Sequence, residues 1–109
     1  MNDKYSAIFG IVDPTGARGY FLVQENGEPD KIFNVISSCL ALPECHRPPM
    51  SAYDNHVQLL ALASIAGVDF VYEMGFENGK PTLMSAMGMH ANTEDLIASL
   101  YLVTQKSYV

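Results

Sequence analysis

Tryptophan is absent from this chain, cysteine occurs twice, and only six of its 109 residues are lysine or arginine. Two thiols, Cys39 and Cys45, allow at most one bridge, too sparse a framework for a disulfide-stapled secreted domain, so reduced thiols in a cytoplasmic setting are expected. The six cations (Lys4, Arg18, Lys31, Arg47, Lys80, Lys106) stand singly against twelve acidic residues, and the formal charge is −6. Nucleic acid and anionic membrane surfaces are both held by clustered cations, so neither is an expected direct partner. The longest apolar-rich run, Val57 to Val68, has about twelve residues against the roughly 20 that cross a bilayer. The opening MNDKYSAIFG lacks the basic start and apolar stretch of a secretory signal.

Chemical motifs are also missing. Gly10, Gly16, Gly19 and Gly27 fit neither the dinucleotide fingerprint nor a phosphate-binding loop, and no Gly-x-Ser-x-Gly elbow occurs. Structural zinc sites take His and Cys ligands in two close pairs; Cys39, Cys45, His46, His56 and His90 do not supply a second pair. No cofactor or metal is expected on these grounds.

What is present is the patterning of one folded domain over residues 1–109, with 49% apolar and 17% charged residues. Tyr5 to Val12 and Tyr20 to Gln24 are rich in strand formers, and Asp13-Pro14-Thr15-Gly16 between them suits a type I turn. Ile32, Val35, Ile36, Cys39 and Leu40 then fall at helical spacing, which predicts a helix over 30–42 ended by Pro43. Glu44 to Pro49 is irregular, since adjacent prolines continue neither a helix nor a central strand.

Ser51 and Asp54 have capping-box spacing, so a second helix is expected from Ala52 to Ala66, closed by Gly67; its apolar content makes it the expected centre of the core. Asp69 to Glu77 alternates, with Phe70, Tyr72, Met74 and Phe76 inward and Asp69, Glu73 and Glu77 on an acidic outer face. Asn78-Gly79 is a strong hairpin signal, Thr82 to His90 reads as an inner strand, and Asn92 with Asp95 opens a last helix. The order ββαα-ββα predicts an α+β fold, a four-stranded, mainly antiparallel sheet with helices packed on one face. Both halves run strand, Gly turn, strand, acidic helix start, as an internal duplication would.

The leading functional expectation is a non-enzymatic acidic protein that binds another protein with a basic surface, because opposite fields speed and orient encounter. Asp69, Glu73, Glu77, Tyr20 and Arg18 are the candidate protein-binding residues, the acids as a solvated strand face and the others on and beside the first hairpin loop. The profile of a short acidic domain without a catalytic motif resembles, in composition alone, small phage or mobile-element inhibitors, anti-CRISPR proteins among them. That resemblance carries over no residue and no fold. Two alternatives stand beside it: a small thiol- or metal-dependent enzyme centred on Cys45, His46 and His56, and a homo-oligomeric module, such as a homodimer, joined through sheet edges or the apolar second helix.

Overall fold

The computed structural model describes residues 4–32, 34 and 50–89. The expectations for Cys39, Cys45, His46, His90 and the helix from Asn92 lie outside the described residues. Strands β1 (Ala7–Val12), β2 (Arg18–Val23), β3 (Ser51–Ala52), β4 (Phe70–Glu77) and β5 (Lys80–Gly88) form a five-stranded sheet in the order β3-β2-β1-β4-β5. One full helix, α1 (His56–Ala66), precedes β4, and helical residues begin at Pro29. Among the described residues no helix is long and apolar enough to cross a membrane.

The two hairpins form where turn chemistry dictates. Asp13 Oδ1 accepts from the Thr15 and Ala17 N–H groups at 2.8 and 3.0 Å, and Gly16 takes a φ of 90°. Asn78 and Gly79 both have positive φ, 53° and 78°, as a two-residue type I′ turn requires. Gly67 closes α1 at φ 70°, its N–H donating to the carbonyls of Ala63 and Ser64.

The predicted architecture is corrected at several points. The sheet is mixed, because β1 and β4 pair in parallel while the other pairs are antiparallel; the long connection through α1 supplies the crossover that a parallel pair needs. The fifth strand is Ser51–Ala52, assigned above to a helix start but paired here with Tyr20 and Gly19. The cap is instead Asn55, whose Oδ1 accepts from the Gln58 N–H at 2.9 Å, while the Gln58 side chain reaches back to the Asp54 N–H.

Helical residues also lie on both faces, not one. Ile32 packs with Ala7, Phe9, Phe21, Phe70, Tyr72 and Met74, whereas Leu59 and Ala63 of α1 pack with Ile8, Tyr53, Val68 and Val71. Adjacent residues of β1 and β4 thus enter opposite cores, and these two strands, not the second helix, are the centre of the molecule. Finally, β5 pairs only with β4 and lies at one end of the described sheet, with Met84 bulged out between the pairs Glu73–Ser85 and Met74–Leu83.

Candidate functional site

The face of β4 assigned above to solvent is the one α1 covers. Glu73 sits at mid-strand on that face, opposite Gly10 of β1, with only 5% of its side chain exposed. A carboxylate out of water must be bonded, and two elements supply the partners. Tyr53, just past β3, donates its hydroxyl to Oε2 at 2.6 Å, and His56, the first residue of α1, places Nδ1 3.0 Å from Oε1.

Gly10 makes the first contact possible. A Cβ at that position would stand 2.7 Å from the Tyr53 hydroxyl oxygen and 2.9 Å from Leu59 Cδ2, so only a bare backbone lets the phenol lie across β1 and reach β4. Burial, then the hydrogen bond to Glu73 and its charge, push the Tyr53 hydroxyl far above the ordinary tyrosine range, with Arg18 opposing weakly. Tyr53 is therefore a permanent neutral donor.

The imidazole is placed differently. Some 42% of the His56 side chain is exposed, and Nε2 has no partner among the described residues. An ionised carboxylate only accepts, so Nδ1 carries a hydrogen toward Glu73 and, in the neutral ring, Nε2 is an acceptor turned away from the carboxylate. Arg18 lies close by: its backbone carbonyl accepts from the Tyr53 N–H, and its Nη1 donates to the Asp54 carbonyl at 3.4 Å, a long bond that leaves most of the guanidinium donors without a partner among the described residues. Tyr20 packs edge-on against Tyr53, ring centroids 6.2 Å apart.

Of the five residues put forward from sequence, Arg18, Tyr20 and Glu73 thus converge around Tyr53, but Glu73 is buried and not part of a solvated acidic surface. Asp69 and Glu77 do not join them. Asp69 accepts from the Ser6 N–H at 3.0 Å and ties the incoming chain to β4, while Glu77 is exposed beside the Asn78-Gly79 turn. They stand about 25 Å apart along the strand. His56, grouped in sequence with Cys45 and His46, which lie outside the described residues, pairs with Glu73. Tyr53, one of six tyrosines, carries no motif that marks it in sequence; the signal for its placement is Gly10, a lone glycine in the apolar run of β1.

Beside this relay the outer side of α1 is apolar. Its 11 residues carry no charged side chain, and Val57 and Ile65, two turns apart, are 73% and 84% exposed. Among the described residues no group of three His, Cys, Asp or Glu side chains is arranged to hold a metal ion. No protein-family model, characterised protein or solved structure matches this chain.

Proposed function

We propose that the domain acts in the cytoplasm by binding another protein, with the outer stripe of α1 (Val57, Ala61, Ile65) as the apolar centre of the contact and acidic residues at its margin. The observation that carries this reading is the exposure of Val57 and Ile65 on a helix without one charge. A surface helix ordinarily turns charged residues to water, and an apolar stripe left outward is the usual mark of a helix awaiting a partner. Asp54 precedes the helix and Asp69 follows it, in a protein of net charge −6, so the matching partner surface is apolar with a basic rim. A basic site that otherwise receives nucleic acid has that character, and covering it is how a small acidic inhibitor of the phage or mobile-element kind would work.

The test is retention of partners from native cells by the wild-type domain, by the double variant Val57→Ser/Ile65→Ser, and by a control, Leu22→Ser, altered at another exposed apolar position. Loss of one partner with the double variant alone supports the reading. Equal retention by all three removes α1 as the contact. A concentration-dependent dimer abolished by the double variant would assign the stripe to a second copy of this chain.

A further inference from the structure

We propose that Met84 is a modification site for peroxide oxidants, and that its sulfoxide releases β5 from the middle of β4, beside the buried Glu73. This goes beyond the protein-binding reading and does not rest on it. Met84 is the bulged residue of β5, left out of the register between the pairs Glu73–Ser85 and Met74–Leu83, and at 49% it is the most exposed methionine among the described residues. Its thioether is nevertheless seated. A Cβ on Gly75 would stand 2.7 Å from Met84 Sδ and 3.3 Å from Cγ, so the sulfur lies on bare β4 backbone where a side chain would otherwise be, and Gly75 itself is buried. Gly75 follows Glu73 by two residues and shares its face of the strand. One half-exposed thioether thus covers the backbone next to the carboxylate that Tyr53 and His56 hold.

The other methionines set the comparison. Met74 is 2% exposed and closed to oxidants in solution. Met50 and Met87 are each 41% exposed, but Met87 stands in regular register with Val71, and Met50 lies on Gly19 with its sulfur 3.7 Å from where a Cβ would be, a looser seat. In the modification the Met84 sulfur takes one oxygen from hydrogen peroxide: an S–O bond forms, the O–O bond breaks, the sulfur is oxidised by two electrons, and the peroxide leaves as water. The product is polar where the thioether was apolar. Its oxygen turns to water, the side chain lifts from Gly75, and the β4–β5 pairing at the bulge loosens.

The full chain is treated with hydrogen peroxide, then with dithiothreitol to return oxidised Cys39 and Cys45 to thiols, and followed by peptide mass spectrometry, amide hydrogen exchange and thermal unfolding. Met84 should oxidise about tenfold or more faster than Met74, whose sulfur is reached only when the strands open. Oxidation should raise exchange across residues 73–85 and lower Tm by about 4–8 °C in the wild type, in Met50→Leu and in Met87→Leu. Met84→Leu keeps the apolar contact without a sulfur and should show neither change. Because Met84→Leu can pack poorly at the bulge, Gly75→Ala is the companion variant: its methyl takes the sulfur's seat, so exchange across 73–85 should already be raised without peroxide, and oxidation should add little. Met84 oxidising no faster than Met74, unchanged exchange in the oxidised wild type, or an equal response in Met84→Leu overturns the proposal.

Discussion

Replacing Gly10 by alanine tests the geometry around Glu73 most directly. Its φ is not among the positive ones, so the backbone accepts alanine, and restricting the unfolded chain favours the variant by about 0.4–1 kcal/mol. Against this, the new methyl would meet the Tyr53 hydroxyl at 2.7 Å, Leu59 Cδ2 at 2.9 Å and Tyr53 Cζ at 3.1 Å, all in a packed layer between sheet and helix. Overpacking of this kind costs about 1–3 kcal/mol. If the phenol is driven off Glu73, a bond to a charged acceptor is lost as well, worth about 1.5–3 kcal/mol. The expected net loss is about 2–4 kcal/mol, which in a domain near 100 residues lowers Tm by roughly 8–20 °C. Urea unfolding followed by far-UV circular dichroism suits a chain with no tryptophan. Coupling is the sharper readout: with Tyr53→Phe already in place the clashing oxygen and its bond are gone, so Gly10→Ala should cost at least 1 kcal/mol less than in the wild type, on the order of a contact pair's coupling. A loss below 0.5 kcal/mol, or strict additivity with Tyr53→Phe, would refute this account, since about that much is the scatter of unrelated surface changes.

Three more outcomes separate the buried from the exposed members of the same elements. Glu77→Lys should move stability by no more than about 0.5 kcal/mol, whereas Glu73→Lys puts an uncompensated charge beside β1 and should cost about 3–5 kcal/mol by chemical denaturation. Leu59→Ala should lose about 2–5 kcal/mol because the side chain is wholly buried, and Leu60→Ala, only partly buried, should lose clearly less; equal losses would mean that α1 is rotated from the orientation described. In an ultraviolet titration Tyr53 and Tyr72 should ionise later than the exposed tyrosines, because burial, ahead of nearby carboxylates, raises both above their ordinary 10.0. The sign follows from linkage: the unfolded state releases these protons first, so the stabilisation is complete below pH 10.0 and declines as pH rises past it.

What could be read ahead of the structure divides along physical lines. Asp13 to Gly16, Asn78-Gly79 and Gly67 act through their own φ angles and nearest hydrogen bonds, and each does in the fold what its chemistry dictates locally. Ser51 and Asn55 are both competent helix caps, and the choice between them is tertiary: Ser51 and Ala52 pair with Tyr20 and Gly19 of β2, so the helix waits until Asn55. The period of two in β4 correctly put Glu73 opposite in face to Phe70, Tyr72 and Met74. It could not say what covers that face, and a carboxylate there was naturally given to solvent. α1 misled in the opposite direction, since a helix apolar on every side has no periodicity to point its buried stripe, and the helix as a whole was expected at the centre of the core although Val57 and Ile65 face outward.

The relay itself joins residues 17 and 20 positions apart with no shared motif, so no local pattern announces it. Its one legible sign was negative: Gly10 interrupts Ala7-Ile8-Phe9 and Ile11-Val12, where a β-branched or aromatic residue would strengthen the strand. A glycine that weakens a central strand marks a close approach from outside the sheet. Here the approaching group is the Tyr53 ring, and the strand neighbour on the far side of the gap is Glu73, the sole charged residue between Phe70 and Phe76. A missing side chain on one strand and a lone carboxylate on its neighbour are thus two halves of one requirement, a passage for a hydroxyl to a buried charge. Neither half indicates a site alone, and their adjacency exists only once β1 and β4 are known to lie side by side in parallel.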